Sequence, residues 1–218
     1  MINYIGKTQI KKWLVEDLKS FLKQYGFKIT PSVNVDIKKD DEEIIFDTFF
    51  GVSLTDDIGL SHANIRYKKV EETLFKVTGL PVYSIGSRTI SVFSGEKFGI
   101  LATLAKNRND VTNISESFKQ VFIECFLPAF EKYSDPKNVL ELWDSLETSK
   151  EKGKYFQDSN NYSKILILSK MSNDLRYEQR IKESIEFYEN KIRNGEEYYK
   201  EELGYCEKVI EYLANNEI

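Results

Sequence analysis

A chain of 218 residues and 25.5 kDa accommodates one domain or two small ones. At this size it buries about 70% of the surface its unfolded form exposes, so ordinary stability needs no metal or disulfide staple. With 41% hydrophobic and 30% charged residues it is neither disordered nor fibrous, and 31 basic against 35 acidic residues (net -4, pI ≈ 5.3) disfavour non-specific binding to nucleic acid or to an anionic membrane.

The first helix is predicted from Ile10 to Tyr25, where Ile10, Trp13, Leu14, Leu18, Phe21, Leu22 and Tyr25 follow the i, i+3, i+4 rhythm and Gly26 supplies the stop. Phe27, Ile29, Val33, Val35 and Ile37 then alternate, which predicts one strand interrupted at Pro31. The charged run 38–43 is a turn, and Phe46, Thr48, Phe50, Val52 and Leu54 share one face of the strand beyond it, making a hairpin. A turn at Asp56, Asp57 and Gly59 and a short segment over 61–66 lead to a second helix carrying Tyr67, Val70, Leu74 and Val77, stopped at Gly79 and Pro81. Three short strands are expected over 82–85, 89–93 and 98–104, with turns at Gly86 and Gly95.

After Leu104 every apolar pattern is helical. A very apolar stripe from Ile114 to Phe130 is predicted to cover the sheet, with Pro128 bending it or dividing it. Ser134, Asp135 and Pro136 form a helix start for a face made of Val139, Leu142, Trp143 and Leu146. Residues 147–161 are polar and contain Gly153, which marks a linker, and 162–218 return to helical spacing with Asn194 and Gly195 favouring a hairpin. The expected fold is therefore α+β: a largely antiparallel sheet with helices on one face over 1–147, a linker over 148–161, and a helical C-terminal segment over 162–218.

The motifs of several chemistries are missing. His62 is the only histidine, and with Cys125 and Cys206 in unrelated helical segments no zinc spacing exists. Both cysteines sit among apolar neighbours, as buried thiols do. No EF-hand loop, nucleophile elbow, dinucleotide fingerprint or Walker loop occurs, so no metal, cofactor or catalytic residue is assigned. The opening residues contain no apolar run of the kind a signal peptide requires, and the longest apolar stretch, around residues 165–168, is far short of a membrane span; a soluble cytoplasmic protein is expected.

Charge is unevenly distributed. Residues 1–105 hold 14 basic and 13 acidic residues, whereas 174–218 hold 7 and 12, and eight of the thirteen tyrosines come after residue 150. Tyrosine beside carboxylates suits a protein-binding face, since the ring contributes area at low entropic cost and the charge steers a basic partner. The candidate partner-binding residues are Glu196, Glu197, Tyr198, Glu201, Glu202 and Tyr205. Self-association through the same helices is an equal alternative to a heterologous partner.

The opening helix ending in Tyr25, Gly26 and Phe27, the paired strands, and the stretch FLPAFEKYSDPKNVLELWDSL at 126–146 resemble a bacterial family of uncharacterised α+β domains found near polymorphic toxins. The resemblance spans 8–147 and implies an immunity-like role; its motifs are structural and carry no active-site residue, and the acidic C-terminal segment departs from it. Two readings remain. One is a non-catalytic interaction protein, immunity-like or part of a bacterial conflict system, using the acidic, tyrosine-bearing helices. The other is an enzyme or small-molecule binder with a pocket between the sheet and the helix at 112–130, to which Asp47, Asp56, Asp57, His62 and Arg66 contribute polar groups.

Overall fold

The computed structural model describes residues 5–80, 88–92, 103–157 and 160–218. The strand expected over 82–85, most of that over 98–104, and the turns at Gly86 and Gly95 lie outside them. The chain is an α+β protein, a largely antiparallel sheet followed by helices. It divides into two compact units, Met1–Ile65 with Val92–Lys132, and Arg66–Ser91 with Tyr133–Ile218. The chain thus passes between units three times, whereas the sequence suggested a single linker over 148–161.

In the first unit, α1 (Lys7–Gln24) buries Ile10, Leu14, Leu18 and Leu22. Its end is fixed by Gly26 at φ 80°, a left-handed conformation that costs glycine no steric clash. There the Gly26 N–H donates to Lys23 O and the Phe27 N–H to Leu22 O, closing the last turn. Strands β1 (Lys28–Pro31) and β2 (Val35–Asp40) are antiparallel, with Ile29 opposite Ile37 and Pro31 opposite Val35. The single strand expected over 27–37 is therefore two strands. The connection is three residues long, an odd number, so the inward-facing positions keep the same parity on both sides and alternation continues through the turn. Val33, counted in that alternation, is 77% exposed at the tip.

The hairpin of β2 and β3 (Ile44–Val52) forms around the charged turn as expected. Beyond it, β3 pairs β4 (Asp57–Leu60) and β5 (Ala63–Tyr67), β4 pairs β7 (Thr103–Leu104), and β5 pairs β6 (Ile90–Val92). Phe46, Thr48, Phe50 and Val52 of β3 are buried, while Asp47, Phe49 and Gly51 alternate with them at half-buried positions.

The apolar stripe after residue 107 is α3 (Arg108–Val121), a π-helical turn (Phe122–Phe126) and α4 (Leu127–Lys132). An Asn107–Asp110 capping box starts it. Phe118, Phe122, Phe126 and Phe130 recur every four residues. Four residues advance an α-helix by about 400°, so such a row drifts off its face by about 40° per step. One wider turn, in which the Leu127 N–H donates to Phe122 O, takes back part of that drift, and it falls where Pro128 supplies no N–H. The four rings stay within 5.6–6.3 Å of their successors and meet Phe27, Phe46 and Phe50 from the sheet side.

The second unit is built on α7 (Asn161–Met171), which touches α2 (Lys68–Thr78), α5 (Pro136–Ser145), α8 (Tyr177–Arg193) and α9 (Tyr199–Asn215). Residues 163–169 are buried on every side, which is why Ile165, Leu166, Ile167 and Leu168 run together with no amphipathic period. Three charged side chains, Lys164, Glu71 and Arg180, are buried in this unit. Lys164 Nζ lies 2.9 Å from Glu71 Oε1 and donates to Arg88 O, and the same carboxylate oxygen accepts from the Thr89 hydroxyl. Arg180 forks onto Asp144 at 2.7 and 2.8 Å and donates from Nε to Asp174 at 2.6 Å, tying α5 to the α7–α8 turn. Asp135 caps α5 ahead of Pro136, as its sequence predicts. Residues 148–155, read as linker, hold a seven-residue helix α6 (Ser149–Tyr155) started by a Thr148–Glu151 capping box. Cys206 is buried, and that burial pushes its thiol up to about 12; Cys125 is half-buried.

Candidate functional site

The C-terminal segment is a helical hairpin. Gly195, at φ 88°, lets α8 close with its own N–H donating to Ile192 O and the Glu196 N–H to Lys191 O, and α9 begins four residues later. This short reversal places Glu196, Glu197 and Tyr198 at the head of the hairpin, where α9 starts with Tyr199.

Beside that head lies a cleft of about 350 Å³. Phe187 from α8 and Tyr198, Tyr199 and Glu202 from the start of α9 line one part of it, and Gln157 and Asn161, at the end of α6 and the start of α7, line another. The rings belong to a continuous aromatic cluster. Tyr198 lies 4.2 Å from Tyr199 between centroids, Phe187 stacks on Tyr162 at 4.4 Å, and Trp143 meets Tyr162 and Phe156 edge-on at 4.9 and 5.0 Å. Burial raises the Tyr162 and Tyr188 phenols above their ordinary value, so both are neutral protonated groups at any working pH. Tyr198 is 63% exposed. The neighbouring Tyr199 phenol, then desolvation, and then the Glu196 carboxylate that accepts from it raise its phenol too.

Two lysines lie over the rings of this cluster. Lys191 Nζ is 5.5 Å from the Tyr199 centroid and 5.9 Å from that of Phe187, and bonds to Glu196 at 2.9 Å. Lys152 Nζ lies 4.2 Å from the Trp143 centroid, and burial lowers its ammonium below the usual lysine value. These ring faces therefore attract cations, as a quadrupole with a negative face does.

Of the six residues expected to bind a partner, Tyr198 and Glu202 line the cleft, and Glu196 reaches its edge by accepting from the Tyr198 hydroxyl at 3.2 Å. Glu197 is exposed and paired with Lys200. Glu201 accepts from the Tyr205 hydroxyl at 2.5 Å, and neither residue lines the cleft. Phe187, Tyr199, Gln157 and Asn161 were missed. Tyr199 belongs to the helical stripe that reads as core, Phe187 falls off that stripe, and the two amides carry no sequence signal.

Of the expected pocket residues, Asp47, Asp56 and Asp57 are held by contacts other than with the phenylalanine rings that fill the space between the sheet and the 112–130 helix. Asp47 alternates out of the ring-bearing side of β3 and accepts from Asn64 at 2.9 Å. Asp56 is buried at φ 62° and accepts from the Ile5 and Gly6 N–H groups, at 2.5 and 3.2 Å, anchoring the entry to α1. Asp57 accepts from the Thr55 and Ser53 hydroxyls within its own turn. His62 is half-buried between β4 and β5, and Arg66 falls in the second unit.

Among the described residues no three His, Cys, Asp or Glu side chains are grouped to hold a metal, and no helix is long and apolar enough to cross a membrane. Comparison with protein families, with curated proteins and with solved structures finds no match.

Proposed function

We propose that this chain is a non-catalytic protein-binding module, immunity-like in role within a bacterial conflict system, that engages a basic partner at the head of its α8–α9 hairpin. The cleft beside Tyr198 carries this reading. There an exposed tyrosine stands on a second, partly covered one, with Phe187 behind and glutamates around, the combination of rigid aromatic area and charged rim found at protein-binding surfaces. The acid excess of residues 174–218, 12 acidic against 7 basic, supports the choice of a basic partner by steering its approach.

The test is co-purification. Tagged full-length protein and a Tyr198→Ala, Glu202→Gln variant are recovered from the source cells at matched expression, and the eluates are compared by mass spectrometry. One stoichiometric protein is expected with the parent and not with the variant. Recovery of the chain alone, or of a partner indifferent to both substitutions, overturns the reading.

A further inference from the structure

We infer that the cleft at the hairpin head receives an arginine side chain of the partner, its guanidinium lying against the Tyr198, Tyr199 and Phe187 rings and bonded to Glu202. The inference rests on the protein-binding reading and specifies its chemistry.

Glu202 brings a carboxylate, which only accepts. Asn161 donates from Nδ2 to Phe156 O at 3.2 Å and Gln157 from Nε2 to Lys154 O at 3.4 Å, so each amide turns one of its two N–H donors to the backbone and keeps its carbonyl oxygen to offer. The Tyr198 hydroxyl donates to Glu196, leaving its oxygen as an acceptor. The polar lining is thus rich in acceptors, and aromatic rings make up most of the remaining wall. A ligand matching both is flat, cationic and made of donors. Guanidinium has five N–H groups, no acceptor, and a planar face that stacks on aromatics, whereas an ammonium is a compact, strongly hydrated point charge. An anion would meet carbonyl and carboxylate oxygens there, and Lys191 beside the rings is already bonded to Glu196. At about 350 Å³ the cleft is at the small end of ligand sites, suited to one side chain.

The full-length protein is titrated with N-acetylarginine amide, N-acetyl-lysine amide and N-acetylcitrulline amide, following the ring signals of Tyr199 and Phe187 by NMR. Citrulline keeps the shape and removes the charge. Saturable shifts in the millimolar range are expected with the arginine compound, weaker by about tenfold with the other two. Glu202→Gln is expected to weaken arginine binding by about tenfold, and Glu217→Gln, at the far end of the chain, to leave it unchanged. Equal response to citrulline, or full binding by Glu202→Gln, overturns the inference. Failure here and failure of the broader reading are distinguishable: a partner captured and lost on Tyr198→Ala, with no arginine response, refutes the arginine assignment alone, while a specific arginine response with no partner captured refutes the protein-binding reading and, with it, a protein partner as the source of the guanidinium.

Discussion

Lys164 and Glu71 are each almost fully buried, at 1% and 2% exposure, with 2.9 Å between charged atoms. Removing one member leaves the other charged and dry, which costs about 3–5 kcal/mol, whereas replacing both with apolar groups is often close to neutral. Lys164→Met is therefore expected to lower the unfolding free energy by about that amount, and Lys164→Met with Glu71→Leu by clearly less, as read from urea midpoints. The aspartates behave differently because they are themselves partly solvated, Asp17 at 14% and Asp174 at 17% side-chain exposure. Arg108 forks onto Asp17 and holds its carboxyl below the ordinary value of 3.8. Burial would raise Asp174, but hydrogen bonds from Arg180, the Arg176 N–H and Ser169 outweigh it and lower the carboxyl as well. A carboxyl lowered by folding contributes stability that is fully present above its unfolded value and is lost as pH falls through the folded one. Urea midpoints are therefore expected to hold from neutral pH to about 5 and to fall below 4, with a shallower fall in Asp174→Asn. A midpoint unaffected by acid, or an unchanged slope in the variant, contradicts this.

At the scale of the element, most helices were legible because apolar spacing and end signals agree. The α1 stripe with its Gly26 stop and the Asp135–Pro136 start of α5 both give the observed boundaries within three residues. Errors arose where pattern and structure separate. Alternation over 27–37 survives a three-residue turn, so it could not reveal the reversal that Pro31, Ser32 and Asn34 produce. Helix α6 has no buried residue within it and hence no stripe; its one readable mark was Thr148 with Glu151 three residues later. The cleft was half legible for a related reason. Tyr198 and Glu202 stand out as exposed-type residues in an acidic run, but which other elements meet them is tertiary information. Gly204 illustrates an element-level cost that packing does not require. It lies within α9, its φ is not in the left-handed region, and a Cβ there meets nothing within 4 Å. Gly204→Ala is expected to stabilise the protein by about 0.5–1 kcal/mol, seen as a raised thermal midpoint, and a lowered midpoint would show that the space is used.

For the whole molecule, the decisive feature is that the second unit takes α2 from the N-terminal half of the chain and its other helices from the C-terminal half. A division by sequence, keeping 1–147 and discarding 148–218, looks clean because the polar stretch over 148–161 resembles a linker. It would nevertheless remove α7 and α9, against which α2 packs, and leave Val70 and Leu74 uncovered, with Glu71 deprived of Lys164. The complementary fragment 148–218 would lack α2 altogether, and with it a wall of the α7 core. A chain ended at Ser149 is therefore expected to retain the sheet unit but to expose apolar surface, binding a hydrophobic dye and exchanging the amide protons of 68–78 rapidly, while the full chain protects them. Slow exchange over 68–78 in the shortened chain would mean that α2 is held by the first unit instead, and the division into two units would have to be redrawn. The same reasoning makes point substitutions at the hairpin head, and not truncation, the sound way to separate binding from folding in this protein.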